Sequence, residues 1–315
     1  VRALLAFALG AVLAAPVQAM EFSDIDGWAV ADHAAALAVF RNSCDRIEGA
    51  SWQHACAEAS HAPDPRTFFE TTFQPHPLPA PTLFTGYYEP ELHASLNRTD
   101  RFSSPVYALP PEGAPAIPRA DMPAALAGRG LEIAWLEDPA EAFFLQVQGS
   151  GRLRLPDGRS VRLGYAGKNG SEYRSIGREM VQRGIMTVEQ ASAPAIKDWI
   201  RAHPQDGQNL MNHNPSFVFF RVLDLPDDAG PIGTMGVPLT AMQSLAVDPR
   251  IVQLGAPVFV QAEGVDHLFV AQDTGSAIKG AGRADMFMGS GDAVGIAAGH
   301  MRARGQMFVL IPRED

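Results

Sequence analysis

Two carboxylates near the C-terminus stand in contrasting settings. Asp273 opens the tetrad Asp273-Thr274-Gly275-Ser276, and Asp285 follows a glycine-rich crossing, flanked by Ala284, Met286, Phe287 and Met288. A carboxyl among turn amides accepts N–H bonds and stays ionised, whereas one among Met and Phe is desolvated and its pKa rises. Two carboxyls pushed apart in this way do acid catalysis. The same residues admit a plainer reading, with Asp273 as a turn residue and Asp285 as a solvated loop charge.

Short apolar runs must carry these groups. Leu268 to Ala271 reads as a buried strand leading into Asp273, and further strands are expected at Asn214 to Val222, Pro257 to Gln261 and Phe308 to Ile311. Leu83-Phe84-Thr85-Gly86-Tyr87-Tyr88-Glu89-Pro90 belongs on a strand by its aromatic content, with Gly86 allowing a backbone or ligand close. Paired tyrosines suit a sugar ring and a buried core equally. Phe143 to Gly151 alternates apolar and polar residues, which predicts a strand with Gln146 and Gln148 on one face. Two amides side by side can bond neutral hydroxyls and N-acetyl groups. Helices are expected through Trp28, Leu37 and Phe40 with a cap at Asp24 or Asp26, around Trp52 to Ala59, and near Ile176 to Val181. Two more carry capping-box spacing, from Thr187 with Gln190 to Ile200, and a short one opened by Thr240 and Gln243.

A chain of 315 residues suits one large or two modest domains, and the loose text from Pro110 to Pro118 marks a boundary. With 29 Gly and 25 Pro, the composition favours many short strands and predicts a small β-barrel. The net charge of −10 argues against non-specific nucleic-acid binding. Val1 to Ala19 reads as a secretory signal peptide cleaved after Ala19, too short to span a bilayer, and no lipid-attachment Cys follows it. Cys44 and Cys56 are the only cysteines, and in an oxidising compartment a pair this close is expected to form a disulfide. With two thiols and the lone His54, no metal site is expected.

Asp273-Thr274-Gly275-Ser276 resembles the tetrad of aspartic proteases, but a single-chain enzyme of that kind needs a second copy, and the sequence has none. A broader resemblance covers Trp28 to Pro312. Thr85 to Pro90, Gln146-Val147-Gln148-Gly149-Ser150-Gly151, Asn214-Pro215-Ser216, Ala246-Val247-Asp248-Pro249 and the Asp273 to Asp285 stretch follow one another as in the membrane-bound lytic murein transglycosylase A family, with its C-terminal three-aspartate (3D) domain. The resemblance implies a mainly β fold with N-terminal helices: a double-psi β-barrel built from residues 20–105 and 216–315, with a second β-rich domain, 106–215, inserted between.

It also implies a lytic exotransglycosylase that cleaves the β-1,4 bond between N-acetylmuramic acid and N-acetylglucosamine and leaves a 1,6-anhydro ring. Asp285 matches the catalytic acid, with Asp273 and Asp248 as ionised supports. Thr85, Gly86, Tyr87, Tyr88, Gln146, Gln148, Gly149, Ser150, Asn214, Ser216 and Lys279 fall where substrate is bound. No cofactor is implied. The expected partners are peptidoglycan strands, with cell-wall synthesis or division proteins beyond them, and the protein is expected to act as a monomer. The missing lipid-bearing Cys departs from the family's anchored form and points to a periplasmic protein, soluble or peripheral to the outer membrane. A peptidoglycan-binding module without catalysis is the alternative.

Overall fold

The computed structural model describes residues 20–79 and 81–313, so the signal-peptide reading falls outside it. Three helices come first: α1 (His33–Ser43), α2 (Ala50–His61) and α3 (Pro65–Thr72). Asp32 caps α1 by accepting the Ala35 N–H at 2.9 Å. Asp24 and Asp26 do not cap it, because Gly27 turns the chain at φ 82 and leaves Trp28–Val30 as a separate 3-10 turn. The Cys44–Cys56 disulfide, Cα atoms 5.6 Å apart, ties the end of α1 to α2.

Then follow β1 (Phe73–Pro77), β2 (Thr82–Glu89), β3 (Glu91–Ser95), β4 (Ser104–Tyr107), α4 (Met122–Leu126), β5 (Glu132–Leu136), α5 (Pro139–Gln148), β6 (Gly151–Arg154) and β7 (Ser160–Lys168). Next come α6 (Ile176–Gln182), α7 (Ala193–Ala202), α8 (Pro204–His213) and β8 (Val218–Leu223). The chain finishes with β9 (Ser244–Val247), β10 (Pro257–Ala262), β11 (Val265–Thr274), β12 (Arg283–Ser290), α9 (Asp292–His300) and β13 (Arg302–Pro312).

Six strands close a barrel in the order β13-β10-β11-β9-β12-β2, with β2 pairing back onto β13 and β1 added outside. Its core takes Phe84, Leu245, Val258, Phe269, Met286 and Leu310, and the N-terminal helices pack Phe40, Phe68 and Phe69 into the same cluster. Each such side chain contributes about 1.5–3 kcal/mol on burial. The remaining strands form a second sheet, β4-β5-β3-β6-β7-β8. β3, β4 and β8 belong to it, so the change of sheet falls at Pro90 and after Leu223, not at residues 105 and 216. The Pro-rich stretch runs inside this unit, because Ala108 just before it bridges to Phe220.

Three expected elements differ. Phe143 to Gln148 is helix, the second half of α5: Asp138 accepts the Glu141 N–H at 2.8 Å, Pro139 takes the first turn and Gly149 ends it at φ 81. Cap and stop signals outweigh an alternation too short to fix its period. Thr240 opens no helix; its N–H donates to Ser244 Oγ and the chain enters β9. The Thr187–Gln190 box forms, at 2.9 and 3.3 Å, but closes an isolated turn, while α7 starts beyond its own cap, Ser192.

One buried carboxylate joins the two sheets. Glu89, at the end of β2, accepts from Arg162 of β7 at 3.0 Å, Arg152 of β6 at 3.4 Å and Ser290 Oγ of β12 at 2.9 Å. Removing both arginines would leave the buried Glu89 charge uncompensated, which is strongly destabilising.

Candidate active site

The small Ala246 of β9 is the pivot. It pairs with Asp273 of β11 on one side and Asp285 of β12 on the other, so strand spacing puts those two Cα atoms about 10 Å apart. A register shift between Ala271 and Asp273 re-aims the first aspartate. On the far side of β12, Thr85 of β2 lies opposite Asp285.

Asp285 accepts one hydrogen bond, from Thr85 Oγ1 at 2.7 Å, and Thr85 Oγ1 in turn accepts from Arg283 Nη2 at 3.1 Å. Burial pushes the Asp285 carboxyl up to about 6; the Thr85 bond and the Arg283 charge oppose the rise, and Asp273 adds to it. Of the four neighbours expected to desolvate it, Phe287 is the one on its face. The strand pleat sends Ala284 and Met286 into the barrel core, and the apolar flank on the outer face is Phe287 with Tyr87, ring centroids 5.4 Å apart.

Asp273 has the hydrogen-bond donors expected of a support. Its Oδ1 accepts from the Thr234 N–H and hydroxyl, both at 2.8 Å, and its Oδ2 from Tyr87 Oη at 2.9 Å. Burial still outweighs those bonds and raises its pKa. Asp248 is held well below the usual carboxylate range by Arg250, at 2.6 Å, and by the Gly280 N–H, at 2.7 Å. It braces the 275–280 loop from below and does not line the cleft.

Between the barrel and the second sheet runs a cleft of two adjoining lobes, about 250 and 520 Å³, the size of a ligand site. The barrel wall carries Tyr87, Asp273 and Asp285, and the facing wall carries Gln146, Gln148, Arg119 and Tyr173. Gln146 Oε1 accepts from Arg119 Nη2 at 2.9 Å and the Val218 N–H at 3.2 Å, and Gln148 Oε1 accepts the Tyr88 N–H at 3.2 Å. The carbonyl ends therefore fix α5 in place, which leaves both amide nitrogens for a ligand's oxygens.

Asn214 and Ser216 line the first lobe, and Gly149, Ser150 and Lys279 the second. Asn214 is largely committed to its own turn, its Oδ1 accepting from Arg174 and Ser216 N–H groups. Two positions fit a binding surface poorly. Tyr88 has its ring over Gly295 of α9, and at Gly86 the space of a missing side chain is filled by Met288 and α9. Gly86 does reach the cleft edge.

Sequence reasoning missed Arg119, Tyr173 and Thr234. Arg119 is buried between Phe143 and Phe217, its guanidinium carbon 4.6 and 5.3 Å from the ring centroids. Burial pulls its pKa down to about 10, so it stays charged at the cleft wall. Nothing local marked it, because it lies in the Pro-rich text and gains its partners only from the fold.

Known proteins match this arrangement along most of the chain. The MltA-specific insert domain matches residues 83–118 and 112–221, and the 3D domain matches 243–311. The membrane-bound lytic murein transglycosylase A of Vibrio cholerae is 35% identical over 243 residues, 72% of this chain and 65% of that protein's length. The lytic transglycosylase LtgG of Burkholderia pseudomallei aligns over 96% of both chains at 41% identity with a TM-score of 0.62. The crystal structure of Escherichia coli MltA with bound chitohexaose aligns over 90% of both chains at 30% identity, TM-score 0.73. The chain belongs to the membrane-bound lytic murein transglycosylase A family. Among the described residues no helix is long and apolar enough to cross a membrane.

Proposed function

We propose that the protein is a lytic transglycosylase that cleaves the β-1,4 bond between N-acetylmuramic acid and N-acetylglucosamine in peptidoglycan strands. The observation that carries this reading is Asp285: a carboxyl with one hydroxyl donor, a pKa raised to about 6, and a place in the cleft wall. The relative that holds chitohexaose, a β-1,4-linked amino-sugar chain, supports a sugar strand in the equivalent cleft.

A glycosidase ordinarily needs a second carboxylate as nucleophile or to activate water. Asp273 is poorly suited to either task, since both its oxygens are already bonded, to Thr234 and Tyr87. Asp285 serves alone if the attacking group is the sugar's own C6 hydroxyl, tethered at high effective concentration. The Asp285 carboxyl gives its proton to the glycosidic oxygen as the C1–O4 bond breaks. The carboxylate then takes the C6 hydroxyl proton as O6 bonds to C1. A 1,6-anhydro ring forms, no water is consumed, and the acid regains its proton.

The barrel's parallel pairs, β2–β12 and β9–β11, support assigning it double-psi topology. In this reading the barrel is the catalytic domain and the second, inserted unit closes the groove. The Cys44–Cys56 disulfide supports action in the oxidising periplasm. Mass spectrometry of sacculi digested by wild type and by Asp285→Asn tests the proposal. Anhydro-ended products, one water lighter than reducing-end fragments, are expected from wild type and not from the variant. Reducing ends would sink it, and binding without cleavage would leave a wall-binding module.

A further inference from the structure

The barrel face that carries Asp285 also carries three arginines. β2 pairs Leu83 with Arg283 of β12 and Arg304 of β13, and pairs Thr85 with Asp285 and Arg302. Paired residues of neighbouring strands project to the same side, so the guanidinium groups stand together on the acid's own face. Two strand spacings separate Arg302 from Asp285, about 10 Å at the backbone. Arg302 and Arg304 are exposed, and no carboxylate lies within ion-pairing distance of either among the described residues. Glu189 is the acidic group that Arg302's charge reaches, from beyond ion-pair distance. Burial lowers the Arg283 pKa, and the like charge of Arg302 lowers it further, as expected for neighbours on one patch.

We infer that this stripe is a subsite for a carboxylate borne on the C3 substituent of muramic acid, either the lactyl group or the peptide stem. The inference rests on the substrate proposed above. The chain carries a net charge of −10, which repels an anionic polymer, and the stripe reverses that sign beside the acid. Arginine is suited to the task because its planar fork binds carboxylates bidentately. The scissile bond and the C3 substituent belong to the same sugar ring. A ring whose C1 lies at Asp285 therefore holds its C3 arm within reach of the stripe.

Arg283 is bonded to Thr85 next to the acid, so the test uses the double variant Arg302→Gln/Arg304→Gln. Three ligands are compared by titration calorimetry and, where cut, by turnover: peptide-bearing strands, whose lactyl carboxyl is tied up as an amide, amidase-treated strands, whose lactyl carboxylate is freed, and neutral chitohexaose. The expected result is about a tenfold loss of affinity for one or both anionic ligands relative to chitohexaose. The wild-type preference for anionic ligands should shrink with added salt, and Arg302→Lys/Arg304→Lys should restore it in part, returning the charge without the fork. Loss on peptide-bearing strands alone assigns the stem carboxylates, loss on amidase-treated strands alone assigns the free lactyl carboxylate, and loss on both shows that the stripe takes either. An equal change for all three ligands, or none, overturns the subsite. Failure of wild type to cut any strand would instead refute the proposed reaction, while the binding measurement still decides the subsite.

Discussion

Asp248 holds the glycine-rich crossing that Asp285 follows, and the two carboxyls live in opposite surroundings. Asp248 is fixed by Arg250 and the Gly280 N–H, which hold its pKa far down and leave it nothing to give. Asp285 has only the Thr85 hydroxyl, no ion-pair partner within bonding distance among the described residues, and a pKa of about 6. The difference is one of partners. A carboxylate given a cation and an amide becomes a brace, and one given a wall and a single hydroxyl becomes an acid.

Asp285→Asn breaks the contrast hardest. Turnover of sacculi should fall by about 10³-fold, within the usual range for losing a general acid. Stability should move the other way. The folded carboxyl favours its neutral form, so its contribution is full below pH ~4 and is lost as pH rises through about 6. The amide removes that loss, and urea melts at pH 7.5 should show a gain of up to about 3 kcal/mol that fades below pH 4.

The acid's tuning comes next. Wild-type turnover should decline as pH rises through about 6. Asp273→Asn removes a neighbouring negative charge and should move that limb to lower pH, whereas Thr85→Val removes a bond to the carboxylate and should move it higher. Limbs that stay in place in both variants would show that another group titrates.

Asp248→Ala frees Gly280 and Arg250, and should raise KM several-fold through the loosened 275–280 loop while leaving the pH limb unmoved. Its Tm deficit should shrink below pH ~4, because a depressed carboxylate stabilises only where it is ionised. The smallest effect on turnover belongs to Cys56→Ser, which opens a disulfide linking residues separated by 12 in sequence, on the N-terminal helices. Thermal melts should show a loss of about 3 kcal/mol, with products unchanged.

Much of this site was legible from local text. The apolar run into Asp273, the strand holding Thr85 and Tyr87, and Asp285 beside Phe287 all had the composition their places require. What stayed hidden was set by pairing at a distance. Gln146 and Gln148 reach the cleft from a helix, not a strand, because Asp138 and Gly149 decided the backbone. Asp273 reads locally as a turn residue, and only the folded chain shows that burial raises its pKa against the bonds from Thr234 and Tyr87. Ala246 has no chemistry of its own, yet its register brings two aspartates to one level.

Barrel closure has a consequence for how the protein is made. Thr85 and its partner Asp285 are 200 residues apart, and the barrel shuts only when β13 pairs with β2. A nascent chain holds neither Asp285 nor its closed sheet until β12 and β13 have been made. Such high contact order makes folding slow, so the cleft assembles only after β13 has been made.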